Sequence, residues 1–134
     1  TQPVKLTPID QWITQGKEKK YVIKRLKKAD QILTAEVLKK MQVIGKSFLG
    51  KHYDLAFEWS DEKLYCSELI WKIYHRGAGI ELGKLEKLGD FDLTNEKVQT
   101  KLQERYGTSI PLNETVISPQ AIFASNLLMT IKEE

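Results

Sequence analysis

The spacing of apolar residues changes period several times along this chain, and each change marks an element. Val4-Lys-Leu6 is short and extended. Thr7-Pro8 then opens a helix through Trp12 and Ile13, with Thr7 as N-cap, Pro8 at the first helical position and Gly16 just past the end. Lys20–Leu26 is rich in β-formers and predicts a strand followed by a charged turn. Behind Thr34, the residues Val37, Leu38, Met41, Ile44 and Phe48 recur at helical spacing until Gly50, which predicts an amphipathic helix. Residues 51–60 read as a loop. Leu69, Ile70 and Ile73 mark a second amphipathic helix, with Ser60 as its N-cap, Asp61 and Glu62 in its first turn and Gly77 at its end.

After this helix the pattern weakens. Residues 84–93 look irregular. Thr94 caps a third helix carrying Val98, Leu102 and Tyr106, which stops at Gly107. Glu114–Ile117 reads as a short strand. Ser118-Pro119 starts a short helix through Ala121 and Phe123, and Leu127–Ile131 reads as a final strand. The result is an α+β domain in which helices outnumber strands. Two or three scattered strands leave a sheet incomplete, which predicts that part of the fold lies outside this chain.

Composition narrows the class. A chain of 134 residues with 41% apolar and 29% charged residues suits one globular domain, 1–134. No apolar run approaches the ~18 residues of a membrane-spanning helix, and no signal-peptide pattern opens the sequence. The net charge of +3 is unevenly spread. Residues 1–51 carry 12 Lys/Arg against 4 Asp/Glu, and residues 52–134 carry 9 against 14. The basic excess peaks between Lys17 and Lys28. Tyr21 is the only aromatic inside that run, too few for base stacking, so a lysine-guarded strand edge is favoured over a nucleic-acid surface.

The chemistry centres on the single cysteine, Cys66. It falls near the start of the second amphipathic helix, where unpaired N–H groups and the helix dipole favour an anion. A thiolate held there is how papain-type hydrolases present a nucleophile. The plainer alternative is a small buried hydrophobe. A base is harder to find. His75 follows nine residues later on the same helix, about half a revolution away. His52 precedes the helix in a loop and could fold back. No His-x-x-His, Cys-x-x-Cys or acidic cluster points to a metal, and no glycine-rich phosphate loop follows a strand, so neither metal nor cofactor is called for.

The stretch from Gly50 to Tyr74, including Tyr65-Cys66-Ser67-Glu68, closely resembles the bacterial YaeF/YiiX group of circularly permuted papain-like amidases in the NlpC superfamily. The resemblance continues through Pro3–Ile13, Phe91–Asn95, Glu104–Gly107, Ile110–Val116 and Ser118–Phe123, nearly the whole chain. It implies a permuted papain-like fold, a central antiparallel sheet packed by helices, with Cys66 as nucleophile. In that family the base histidine and the orienting acid lie on strands before the cysteine helix. Here those strands are expected upstream of Thr1, which accounts for both the missing base and the incomplete sheet. Gly50-Lys-His-Tyr53 matches the family's Gly-x-Pro-Tyr element except for His52 in place of proline. By this resemblance Tyr53 lines the active site and His52 is not the base.

The resemblance thus implies a cysteine hydrolase acting on an amide, ester or thioester of a cell-wall or lipid/acyl-type substrate. The rival is a non-catalytic papain-like module that binds a lipid or acyl chain. A small-molecule, peptide or lipid-like substrate is the implied partner, with peripheral contact at a membrane or envelope and no nucleic acid. The bacterial cell envelope or periplasm is the location implied by family analogy.

Overall fold

The computed structural model describes residues 2–134. Its elements run α1 (Ile9–Gln15), β1 (Val22–Leu26), α2 (Ala29–Ile32), α3 (Ala35–Ser47), β2 (His52–Tyr53), β3 (Lys63–Leu64) and α4 (Cys66–Ala78). They continue through β4 (Glu86–Lys87), α5 (Glu96–Tyr106), β5 (Thr115–Val116), α6 (Pro119–Phe123) and β6 (Leu128–Glu133). Among the described residues the strands form three two-stranded pieces. β1 pairs antiparallel with β6, β4 pairs antiparallel with β5, and β2 runs parallel to β3. The α+β class is as the hydrophobic pattern implies.

The strand near Lys20–Leu26 finds its partner at the far end of the chain, Leu26 opposite Leu128 and Val22 opposite Glu133. Lys24 anchors this ribbon from the side. Its ammonium donates to the Phe123 carbonyl and lies 3.9 Å from the centre of the Phe123 ring.

α4 is the central element. Leu26, Tyr65, Trp71, Leu82, Ile117 and Ile122 form one buried cluster around it. α3 packs along its flank so closely that a Cβ on Gly77 would lie 2.4 Å from Met41 Cγ and 3.0 Å from Met41 Cα. Only a hydrogen atom fits at position 77, which fixes the approach of the two helices.

Some caps follow the sequence and others do not: α1 begins at Ile9 with Pro8, not Thr7, in the N-cap position, and α4 continues through Gly77 to Ala78 and is closed by Gly79 in a left-handed conformation. Thr34 accepts from Val37 N–H at 3.3 Å, and Ser118 accepts from Ala121 N–H at 3.0 Å, both as their positions imply. α5 is capped by Asn95, not Thr94, because Thr94 bonds to Asp92 Oδ1 through both its N–H and its hydroxyl. α4 starts at Cys66, not beside Ser60. Residues 63–64 are extended against β2, and the Ser60 N–H donates to Glu68 Oε2 instead of being capped by its own side chain. The segments 51–60 and 84–93, read as loop and irregular, hold the short strands β2 and β4, and β3 lies where the sequence alone places the start of the cysteine helix.

Candidate active site

Tyr65-Cys66-Ser67-Glu68 divides its labour by residue. Glu68 is fully buried, and its carboxylate accepts from the N–H groups of Tyr65 at 3.3 Å and Ser60 at 3.1 Å. The first contact satisfies a donor at the helix entrance, as a glutamate three residues into a helix does. Lys72, one turn on and also buried, lies 2.9 Å from Glu68 Oε2 and 2.9 Å from Asp61 Oδ1. Its ammonium also donates to the Ser60 carbonyl and sits 4.7 Å from the centre of the Trp59 ring. Arg76 closes the network with two hydrogen bonds to Asp61, at 2.9 and 3.0 Å. Burial pushes the Glu68 carboxyl up, against the opposing pull of Lys72 and the two backbone donors. Asp61 goes the other way. The hydrogen bonds from Arg76 are the main cause, and its carboxyl is held at about 2 instead of 3.8.

The two residues beside the thiol are tied to one backbone position. The Tyr65 hydroxyl accepts from Ile117 N–H at 3.2 Å, and the Ser67 hydroxyl donates to the Ile117 carbonyl at 2.8 Å. Both side chains are buried, while Cys66, between them, is exposed as a free thiol at the first position of α4. The N–H groups of a first helical turn have no acceptor within the helix, and the helix start favours negative charge. The entrance to α4 is therefore rigid on either side of an accessible Sγ.

Cys66 opens on two clefts. The larger has a volume of about 410 Å³. Its walls are mostly apolar, with the aromatics Tyr53, Phe57 and Tyr65 and the aliphatics Leu88, Val98 and Leu102 among them. The smaller, about 330 Å³, lies between Cys66 and the N-terminal segment, with Val4, Trp12, Leu64 and Leu69 in its walls. Tyr53 borders both. Burial raises the Tyr53 phenol above its ordinary value; Cys66 and Asp54 add to the rise and Arg105 opposes it. Tyr53 therefore stays a hydrogen-bond donor at neutral pH.

The loop before β3 is fastened to α5. Asp54, buried, accepts from Ala56 N–H at 2.8 Å and Glu58 N–H at 2.7 Å. This turn holds Phe57 at a φ of 54°, a left-handed conformation that is unusual for a bulky residue. The Phe57 ring meets Tyr65 edge-on at 5.2 Å. From α5, the Tyr106 hydroxyl donates to the Ala56 carbonyl and the Arg105 guanidinium lies 4.3 Å from the centre of the Phe57 ring.

Cys66 and Tyr53 line the same two clefts, and neither histidine does. His52 is exposed on β2 and lies outside the walls of either cleft; alternation along the strand turns it away from the face that Tyr53 presents. His75 stacks on Trp71 with ring centres 4.6 Å apart, about two and a half turns along α4 from the thiol. Among the described residues no group of three or more His, Cys, Asp or Glu side chains is arranged to hold a metal ion. Sequence reasoning missed the cleft wall made by Leu88, Phe91 and Leu93, and with it Phe57 and Arg105. The signal for α5 was present: Val98, Leu102 and Tyr106 share one helical face, and that face turns toward the thiol.

Comparison with known proteins places this site in context. The family model described as "permuted papain-like amidase enzyme, YaeF/YiiX, C92 family" matches residues 1–132. The uncharacterized protein YiiX of Escherichia coli K12 is 47% identical over 132 residues, which are 98% of this chain and 64% of YiiX. The chain thus spans somewhat less than two thirds of that relative's length. The crystal structure of the metalloprotein YiiX from Escherichia coli O157:H7 superposes with a TM-score of 0.92 at 47% identity, covering 100% of this chain and 73% of that one.

Proposed function

Since this chain belongs to the permuted papain-like amidase family of YaeF and YiiX, we propose that it is the nucleophile-bearing part of a cysteine hydrolase, with Cys66 attacking the carbonyl of an amide, ester or thioester. The observation that carries this reading is the accessible Sγ at the first position of α4, between two anchored neighbours and facing a cleft of about 410 Å³. The thiol gives its proton to a base and bonds to the carbonyl carbon. The N–H groups at the start of α4 and the Tyr53 hydroxyl are suited to stabilise the resulting oxyanion. The proton passes to the leaving group as the carbon–heteroatom bond breaks, and water then releases the acyl group from Cys66.

Neither His52 nor His75 lines a cleft onto which Cys66 opens, so the proposed reaction calls for a base other than these two. The smaller cleft beside Cys66 offers an approach for it. The family's histidine and acid strands, which precede the cysteine helix, are the candidates.

The test uses the full-length protein. Cys66→Ala should abolish turnover of acyl-amide and acyl-ester substrates while circular dichroism and the thermal midpoint stay unchanged. Iodoacetamide should label the wild type at Cys66 with loss of activity, and a slow substrate should protect against it. Full activity in Cys66→Ala would remove the assignment. Binding of acyl ligands without turnover in the wild type would favour the non-catalytic lipid- or acyl-binding module.

A further inference from the structure

The ribbon of β1 and β6 has two faces of different character. Side chains alternate along a strand, so Val22, Lys24 and Leu26 share one face with Leu128. That face turns inward: Leu26 is buried, and Lys24 reaches the Phe123 carbonyl. The opposite face carries Ile23 across from Lys132 and Arg25 across from Met129. The next pair, Lys27 and Leu127, is joined by a hydrogen bond from the Lys27 N–H to the Leu127 carbonyl at 2.9 Å. Each of these three rungs sets one cation beside one apolar side chain.

Little neutralises these cations. Arg25, Lys27 and Lys28 are exposed and form no salt bridge among the described residues. Lys132 lies 3.2 Å from Glu134. Glu133, the one acid within either strand, stands opposite Val22 and so belongs to the other face. The apolar members are open as well: Leu127 and Met129 are exposed, and so is Ile131, which has no partner at the register shift between Ile23 and Lys24. At the end of the ribbon a groove of about 210 Å³ repeats the pattern, with Ile32, Ile80 and Leu127 in its walls beside Lys27 and Lys28. None of these residues lines a cleft at Cys66.

This combination selects among occupants. Lysines that only guard a strand edge need charge alone, without exposed apolar partners. A further strand joining either edge of the ribbon would lie in the plane of the sheet and leave this face open. Three rungs span roughly 14 Å of two strands, a footprint on the order of a few hundred Å². That is short of the ~800 Å² each partner gives to a stable protein interface. A bilayer surface asks for less area. Its phosphates meet Arg and Lys heads while their stems and the apolar side chains rest at the headgroup boundary.

We propose that the outer face of the β1–β6 ribbon docks on an anionic lipid bilayer, with Arg25, Lys27 and Lys28 at the phosphates and Leu127 and Met129 dipping between headgroups.

The test is co-sedimentation of the full-length protein with vesicles of phosphatidylcholine alone or of equal parts phosphatidylcholine and phosphatidylglycerol. The protein should bind the mixed vesicles at least tenfold more tightly, and added salt should weaken that binding. Each basic residue near an anionic surface strengthens binding roughly fivefold, so the triple variant Arg25→Gln/Lys27→Gln/Lys28→Gln should lose on the order of a hundredfold. The triple Lys39→Gln/Lys40→Gln/Lys46→Gln on α3 removes the same charge elsewhere and should stay within a few fold of wild type. Met129→Ser should weaken binding to mixed vesicles, and the emission of Met129→Trp should shift to the blue when they are added. Cys66→Ala should bind as wild type does, which keeps docking separate from the proposed hydrolysis. Equal affinity for the two vesicle types, equal losses in the two triple variants, or a Met129→Trp emission indifferent to vesicles would overturn the proposal. Binding to soluble polyglutamate as tight as to vesicles, and unaffected by Met129→Ser, would overturn it in favour of an acidic protein partner.

Discussion

At the scale of single residues, exposure separates the groups that can react from those that hold them. Cys66 is exposed between buried Tyr65 and Ser67, whose hydroxyls both grip Ile117. Tyr53 shares its cleft, while His52 and His75 do not. In steady-state assays of the full-length protein, His52→Ala and His75→Ala should each keep kcat/KM within about tenfold of wild type, short of the ~10²–10⁴ that loss of a general base costs. A collapse on His52→Ala would show that the chain supplies its own base. In the same assays Tyr53→Phe should lower kcat by on the order of a hundredfold with KM little changed, the mark of a donor that acts on developing charge. A raised KM with kcat intact would reduce Tyr53 to a wall of the cleft.

At the scale of elements, the buried pair Glu68–Lys72 joins the start of α4 to the turn before it. Removing one partner leaves the other charge without compensation in a place water does not reach. Lys72→Met should therefore destabilise the fold by about 3–5 kcal/mol, read from urea unfolding, and adding Glu68→Gln to it should recover part of the loss. A change within experimental error would mean that the turn, not the ion pair, sets the position of Cys66. The exposed end of the network titrates. Arg76 holds Asp61 at about 2 against 3.8, a depressed folded-state value. The stabilisation from Asp61 is thus present above pH 3.8 and is lost as pH falls through about 2. Asp61 is half exposed, so solvent screens the effect. The urea midpoint should drop between pH 5 and pH 2.5, and Asp61→Asn should show a smaller drop over the same interval. An unchanged pH slope in Asp61→Asn would assign the acid loss to other carboxylates.

At the scale of the whole molecule, the 134 residues hold a compact centre around α4 and open faces around it. Leu6, Ile9 and Trp12 are 78%, 61% and 52% exposed, and among the described residues the strands form three separate pairs. Two-stranded pieces are marginal without further strands or helices packed on them. We propose that these faces pack against the rest of the full-length protein. Expressed alone, the segment should bind 1-anilinonaphthalene-8-sulfonate and unfold with a lower denaturant slope per residue than the full-length protein. A cooperative, monomeric segment with no dye binding would instead mark residues 1–134 as a folding unit in their own right.

The sequence by itself determined the helices, because apolar stripes such as Val37, Met41, Ile44 and Phe48 and caps such as Thr34 and Ser118 act within a turn or two of the chain. It also determined the family, since the order of residues around Tyr65-Cys66-Ser67-Glu68 carries a resemblance that the family model over residues 1–132 bears out. Only the tertiary structure decided where α4 begins, because the competitor for Ser60 is Glu68, eight residues away. The pairing of β1 with β6 was equally out of reach, since its hydrogen bonds join the two ends of the chain. The cleft was decided in the same way. Phe57, Phe91 and Arg105 meet there only because Asp54 turns one loop back and Tyr106 fastens α5 across it. Short-range order is written in neighbours, whereas a cavity is the space left between segments distant in the chain, and its shape exists only once they have packed.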